Sequence, residues 1–128
     1  MVSLNIEGMI EDLGGAALRA FIGLAEAWGL TDQEQMKLLG LSDEPALSRL
    51  MSGDRSAMSR LTIERISCLL GIFKAINILL PNQDRADAWL RSPNSAPPFA
   101  GRSALDLMTD GSVEDLYVAR RHLDAQSS

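Results

Sequence analysis

Cysteine and histidine are scarce in this sequence, which has 128 residues but only one of each, Cys68 and His122. A single cysteine cannot form an internal disulfide, and its position among apolar neighbours at helical spacing predicts a small buried side chain rather than a nucleophile. The sequence has no His/Cys grouping with zinc-ligand spacing, no EF-hand loop, no glycine-rich phosphate loop and no nucleophile elbow. We therefore expect neither a bound metal nor a cofactor.

The titratable groups that might serve catalysis are better explained as helix-end charges. His122 lies beside Arg120 and Arg121 near the end of the last predicted helix, where the helix dipole stabilises a cation by roughly a few tenths of a kcal/mol. Carboxylate pairs such as Asp84/Asp87 fall in first turns of helices, where negative charge is favourable. The sequence thus predicts no catalytic residue and favours a non-enzyme, with a small helical enzyme as the weakest alternative.

Aromatic residues and long apolar runs are also few. Aromatics make up 5% of the chain, and its longest apolar run is interrupted by Lys74 and Asn77, so it is too short to cross a bilayer. A hydrophobic fraction of 46% nevertheless excludes wholesale disorder and suits a helical core. The N-terminus has neither the basic flank nor the apolar core of a signal peptide. We expect a soluble cytoplasmic protein without a membrane partner.

Positive charge is in deficit, above all in the first half of the chain. Residues 1–60 hold nine acidic and five basic side chains, a net charge of −4, and residues 61–128 hold eight and seven, a net charge of −1. A free-standing DNA-binding protein usually shows the reverse, because neutralising phosphates supplies most of its non-specific affinity. The charge weakens the case for DNA binding by an isolated monomer.

The stretch from Leu61 to Leu80 predicts a long central helix. Thr62 is expected to cap its N-terminus, Leu61 and Ile66 to form a hydrophobic staple across the first turn, and Pro81 to end it. Its apolar residues cover far more than one stripe, so the helix requires packing partners on several sides.

The first 60 residues predict an arm followed by three helices. Residues 1–15, with three glycines, are expected to form a loose or partly ordered arm, and residues 16–28 show helical spacing. Thr31 opens a second helix through a capping box, and Ser42 is expected to cap a third over residues 43–52. Helix, tight glycine-containing turn and helix is the order of a helix-turn-helix.

The rest of the chain predicts short helices only. Asn82 opens one that runs through Arg91, residues 92–98 form a proline-rich turn, and residues 103–109 form another helix. A capping-box pattern at Ser112 opens a last helix that reaches about Asp124. No alternation typical of a strand is present, so we predict an all-α fold in which a helix-turn-helix-like bundle joins a small helical C-terminal region through the central helix.

Four stretches of the second half resemble a known family. The stretches are Leu61–Leu80, Ala86–Asn94, Phe99–Met108 and Leu116–Asp124. Together, and in this order, they are similar to the toxin-binding region of the Xre/MbcA/ParS family of bacterial antitoxins. Residues 30–60 resemble that family's helix-turn-helix portion. Residues 1–29 show no such resemblance. We therefore divide the chain into an N-terminal arm and Xre-like helix-turn-helix bundle over residues 1–60, and a central helix with an Xre/MbcA/ParS-like toxin-binding domain over residues 61–128.

The resemblance also implies a function. Antitoxins of this family bind and inhibit a cognate toxin, commonly a RES-domain enzyme that consumes NAD, and repress their own operon. We therefore expect the antitoxin of a type II toxin–antitoxin pair, with a DNA-binding regulator that has no cognate toxin as the alternative. A homodimer is expected, because the apolar surface is large for so short a chain and palindromic operators match two-fold symmetry.

Two interpretations of the helix-turn-helix stand side by side: a DNA reader, or a scaffold that keeps the shape of one. Asp43 and Glu44 occupy the N-terminal end of the predicted third helix, which in a reading helix enters the major groove, and they would face phosphate unfavourably. Residues 43–60 are net neutral. Contacts with operator DNA would therefore fall to polar and basic residues further along: Ser48, Arg49, Ser52, Arg55 and Arg60.

The toxin-binding surface is expected within residues 94–124. Tyrosine and arginine are the residue types that most often anchor interfaces, and the arginine fork suits the charged groups of a cleft that binds a phosphorylated dinucleotide. Trp89 and Phe99 are predicted instead to pack the short helices onto the central one. For the last helix the alternative is a solvated face. The predicted surface centres on Arg102, Asp106, Tyr117, Arg120 and Arg121.

Overall fold

The structure, a computed structural model, describes residues 6–54, 58–110 and 112–127. These residues form seven α-helices and no strand, which confirms the prediction of an all-α fold. In chain order the helices are α1 (Ile6–Trp28), α2 (Asp32–Leu39), α3 (Glu44–Met51), α4 (Arg60–Leu79), α5 (Gln83–Arg91), α6 (Ala104–Met108) and α7 (Val113–Ser127).

α1 begins at Ile6, so the prediction of a loose arm is wrong for residues 6–15, while the first five residues lie outside those described. The glycines that suggested an arm are inside the helix. A Cβ at Gly14 would lie 2.9 Å from the side chain of Met58, so the glycine lets α1 approach the segment that leads into α4. Tertiary packing thereby offsets the poor helix propensity of glycine.

α2 and α3 are joined by a tight turn at Gly40. At the start of α2 the Thr31 hydroxyl accepts a hydrogen bond from the Glu34 N–H at 3.1 Å, and the Glu34 carboxylate accepts one from the Thr31 N–H at 2.9 Å, which confirms the capping box. Gly40 ends α2 with a φ of +73°, a left-handed conformation that suits glycine. Asp43, not the predicted Ser42, caps α3, because its carboxylate accepts from the Ala46 N–H at 2.9 Å.

α4 is the centre of the fold, with α1 packed against one side and α7 against another. Its cap is Ser59, whose hydroxyl accepts from the Thr62 N–H at 3.1 Å. The predicted Thr62 cap and the Leu61–Ile66 staple are wrong, because the helix begins three residues earlier, after the cap Ser59. Leu61 therefore lies inside the first turn and is 68% exposed. The predicted burial on several sides is confirmed by Ile66, Cys68, Leu69, Ile72, Ala75 and Ile76.

The three C-terminal helices pack together as a layer, which contacts α4 through α5 and α7. α5 begins after its cap Asn82, as predicted. α6 lies within the predicted range of residues 103–109 and begins after its cap Ser103, whereas α7 runs to Ser127, beyond its predicted end near Asp124. The segment between α5 and α6 is closed by two backbone hydrogen bonds, from Asn94 N–H to the Arg102 carbonyl at 3.0 Å and from Gly101 N–H to the Asn94 carbonyl at 2.8 Å. This loop is therefore a fixed part of the layer.

Candidate functional site

The contact between α4 and α7 carries two of the residues predicted to bind a toxin. Tyr117 is half-buried, and its hydroxyl donates a hydrogen bond to the carboxylate of Glu64 on α4. That hydrogen bond raises the pKa of the Tyr117 phenol, so the side chain is a neutral donor at pH 7. Tyr117 is thus held against α4.

Arg120 lies about one turn after Tyr117 on α7, and its side chain packs against α4 at Gly71. Its guanidinium occupies the space above the glycine, since a Cβ at Gly71 would lie 2.6 Å from the Arg120 Cζ. Arg120 Nε also lies 3.6 Å from the carboxylate of Asp124, in the next turn of α7. The structure therefore places Arg120 between two packed helices, where the absence of a side chain at Gly71 leaves room for its guanidinium.

Cys68 lies near this crossing and is 1% exposed, which confirms the predicted small buried side chain. Burial raises the pKa of the thiol, and the nearby charge of Arg120 opposes the shift without cancelling it. A buried thiol with a raised pKa is a poor nucleophile, because the thiolate is the reactive form.

The other three residues of the predicted toxin-binding surface are exposed. Arg121 follows Arg120 on α7. Arg102 and Asp106 flank the start of α6, where the Arg102 guanidinium is 3.9 Å from the carboxylate of Asp110 and the Asp106 N–H donates to the cap Ser103 at 3.0 Å. The five residues therefore lie on the loop before α6, on α6 and on α7, with Tyr117 and Arg120 engaged against α4.

A feature that the sequence did not reveal is a row of edge-on rings. The rings of Trp89 and Phe99 are 5.8 Å apart at 88°, and those of Phe99 and His122 are 5.0 Å apart, also at 88°. Phe99 is fully buried, as its predicted packing role requires, whereas Trp89 and His122 are half-buried. Both outer rings line a cavity of about 420 Å³ between the end of α4, α5, the 92–103 loop and the end of α7. The cavity combines residues far apart in the chain, so no local motif signals it.

The residues predicted to contact DNA gather on and after α3. Ser48, Arg49 and Ser52 are exposed along the helix and at its cap, and the Ser52 hydroxyl donates to the Arg49 carbonyl at 2.8 Å. Arg60 is exposed at the start of α4, whereas Arg55 lies outside the described residues. The carboxylate of Asp43 caps α3 and accepts a hydrogen bond from the helix backbone, so the structure gives this acidic residue a role other than contact with a base.

Two further findings bear on the kind of site. Within residues 6–54, 58–110 and 112–127, no three metal-binding side chains come together in a group that could hold a metal ion. None of the helices in the described part of the chain combines the length and the apolar character that crossing a membrane requires.

Comparison with known proteins assigns both halves of this structure. Residues 10–71 match the profile of the antitoxin Xre-like helix-turn-helix domain, and residues 75–128 match that of the antitoxin Xre/MbcA/ParS C-terminal toxin-binding domain. A relative from Sinorhizobium fredii (strain NBRC 101917 / NGR234), named Uncharacterized protein y4oB, is 42% identical over 111 residues, which cover 87% of this chain and 84% of the relative. The chain belongs to the Xre/MbcA/ParS antitoxin family.

The two matched domains of this antitoxin meet within α4. The helix-turn-helix match includes α2, α3 and the first part of α4, and the toxin-binding match takes up the chain near the end of α4 and includes α5, α6 and α7. The predicted assignment to an antitoxin with both domains is therefore confirmed, and the C-terminal domain implies a toxin as partner. The family domains also favour a regulator over an enzyme.

Proposed function

We propose that this antitoxin neutralises a RES-type toxin that consumes NAD, by binding it directly, and that it represses its own operon. The observation that carries the proposal is the union, in one fold, of a helix-turn-helix domain and a toxin-binding domain that share α4. RES identity is what the family resemblance implies for the toxin. The protein is proposed to act as a cytoplasmic homodimer.

The proposed toxin-binding surface consists of Arg102, Asp106, Tyr117, Arg120 and Arg121. Exposure supports a direct contact for Arg121, for Arg102 in the loop before α6 and for Asp106 on α6. Tyr117 and Arg120 are held by Glu64 and Gly71 respectively, so their part is to fix α7 on α4 and to present its outer face. A preformed face loses little conformational entropy when the toxin binds.

The proposed DNA-binding surface consists of Ser48, Arg49, Ser52, Arg55 and Arg60. α3 is the second helix of the helix-turn-helix, the one that enters the major groove in such domains. Arg49 on α3 is suited to base contact and Arg60 to phosphate contact. Because the first half of the chain has a net charge of −4, affinity should be weak for one copy and should rely on pairing of two.

The test is co-expression with the product of the gene adjacent to this one. Cells that express that product alone should lose NAD and stop growing, and cells that also express the antitoxin should keep both NAD and growth. Purified mixtures should form a stable complex by light scattering. An adjacent gene product that does not resemble a RES protein, or that leaves NAD unchanged, would contradict the toxin assignment.

A second candidate is a transcriptional regulator without a cognate toxin. The match over residues 10–71 supports this candidate, because it is a match to a helix-turn-helix domain and does not depend on the toxin-binding domain. Specific binding of the promoter by a chain whose adjacent gene product neither inhibits growth nor forms a complex would select this function.

A further inference from the structure

We propose that the cavity between α4, α5, the 92–103 loop and α7 is an anchor cavity, which receives an apolar side chain of the toxin. This inference rests on the proposed function, since it requires that a toxin binds the C-terminal domain. It adds a contact site that lies apart from the predicted surface of Arg102, Asp106, Tyr117, Arg120 and Arg121, none of which lines the cavity.

The anchor cavity is chemically suited to an uncharged apolar group. Its base consists of aliphatic side chains from the end of α4 and from α7, among them Ile76, Leu79 and Leu123. None of its nine described lining residues is aspartate, glutamate, lysine or arginine. A charged side chain that entered it would lose hydration without gaining a partner, whereas an aliphatic or aromatic side chain would gain the free energy of burial.

The walls of the anchor cavity are fixed before any partner arrives. Trp89 and His122 each make an edge-on contact with the buried Phe99 ring, so one core residue helps to set the position of both. The loop wall is fixed as well, because the Asn94 side chain accepts a hydrogen bond from the Ala96 N–H at 2.9 Å. Preorganised walls reduce the entropy lost on binding, and well-packed central pockets are where the strongest interface contacts occur.

The rim supplies polar groups that could orient a partner's backbone. Asn94 and Gln126 line the cavity and carry amide groups, and His122 contributes ring nitrogens. A few polar groups around an apolar interior is the composition of sites that bind a specific partner. Ile78, next to Leu79 on α4 and 56% exposed, adds apolar surface at this end of the helix.

The toxin is the favoured occupant because of where the cavity lies. Every residue that lines it falls between 76 and 126, within the range that matches the toxin-binding domain, and none comes from the helix-turn-helix match. The anchor cavity is thus continuous with the part of the chain that defines toxin binding in this family. A second copy of the antitoxin is the competing occupant, and the experiment separates the two.

The experiment fills the anchor cavity and leaves the rest of the surface unchanged. Ala96→Leu adds a side chain from the half-buried loop wall, and Gln126→Phe places a ring at the mouth from an exposed position. Ala88→Leu adds the same side chain as the first variant on the exposed face of α5 and is the matched control. Affinity for the purified product of the adjacent gene is measured by calorimetry, and folding of each variant by thermal unfolding.

We expect Ala96→Leu and Gln126→Phe each to weaken toxin binding by about tenfold or more, with Ala88→Leu within about twofold of the wild type. If Ala96→Leu lowers the melting temperature, Gln126→Phe decides, because it changes an exposed residue. Wild-type affinity in both filled variants would overturn the inference and leave the proposed function intact. If the filled variants form smaller oligomers than the wild type but bind the toxin with unchanged affinity, the inference is overturned, and the occupant of the cavity is a second copy of the antitoxin. Absence of binding by the wild type itself would remove the proposed function and the anchor cavity together.

Discussion

Arg91, the last residue of α5, donates hydrogen bonds to both carboxylate oxygens of Glu34 in the first turn of α2, at 3.1 and 3.2 Å. The same guanidinium donates to the main-chain carbonyls of Trp28 and Gly29, at 3.1 and 3.0 Å, where α1 ends. One arginine of the toxin-binding domain therefore satisfies the C-terminus of α1 and fixes the start of α2. The two domains of this antitoxin are joined by this contact as well as by α4.

The Arg91–Glu34 pair makes part of the stability dependent on pH. Burial alone would raise the pKa of Glu34, but hydrogen bonds and charge from Arg91, with the Thr31 N–H, lower it below its usual value. A lowered folded pKa gives stability that is present above the unfolded pKa, about 4.3, and is lost as pH falls through the folded pKa. Glu34→Gln should thus cost about 1 kcal/mol in the free energy of unfolding at neutral pH, and the deficit should vanish in acid.

Urea unfolding over a series of pH values measures this prediction. Glu26→Gln, which removes an exposed carboxylate of α1, is the control and should track the wild type throughout. A deficit of Glu34→Gln that persists at the acid end would show that the side chain acts through packing and the Thr31 cap, not through the charge of Arg91.

The contact of Arg120 with Gly71 predicts a coupling between the two positions. Alanine in a helix interior is more favourable than glycine by roughly 0.5–1 kcal/mol, but here its Cβ would displace the Arg120 guanidinium. Gly71→Ala should therefore give little or no stabilisation in the wild type and the full gain when Arg120→Ala is also present. Unfolding free energies of the four proteins in this double-mutant cycle measure the coupling. Equal effects of Gly71→Ala in both backgrounds would show that the guanidinium adjusts without cost.

These contacts mark the boundary of what the sequence could predict. The caps Thr31 and Asn82 could be predicted because capping joins residues three positions apart, so the whole signal lies within a short stretch of sequence. The partners of Arg91 lie 57 or more residues away, so its role depends on the packing of α5 against the end of α1. The prediction of an arm was wrong at Gly14 for the same reason, because this glycine is explained by its closeness to Met58, a residue far away in the sequence.

The candidate sites likewise include features that the sequence predicts and features that only the tertiary structure shows. Residue types that favour interfaces drew attention to α7, but only the tertiary structure separates the engaged Arg120 from the exposed Arg121. The anchor cavity, which needs α4, α5 and α7 together, has no counterpart in any local pattern.

The proposed DNA-binding surface predicts two kinds of effect. Arg60→Ala should weaken binding to all sequences alike and reduce the slope of affinity against salt by about 1, as loss of a phosphate contact does. Arg49→Ala should instead reduce the difference in affinity between operator and unrelated DNA, because α3 is the helix that we propose to read bases. Fluorescence anisotropy at several salt concentrations measures both, with Arg85→Ala, an exposed arginine of α5, as the control. Unchanged binding by Arg49→Ala and Arg60→Ala together would show that this surface does not hold DNA.

The last prediction separates the neighbouring arginines of α7. Arg121 is exposed, so Arg121→Ala should leave the melting temperature unchanged and weaken toxin binding by about 1–3 kcal/mol if it is an interface anchor. Arg120→Ala should lower both the melting temperature and the affinity for the toxin, because it removes the packing on Gly71 and the contact with Asp124 that position α7. Thermal unfolding and calorimetry on the two variants, again beside Arg85→Ala, give the comparison. If Arg121→Ala binds the toxin as the wild type does, Arg121 is a solvated residue and not an interface anchor. The contacts that hold the toxin would then be those of Arg102, Asp106 and the anchor cavity.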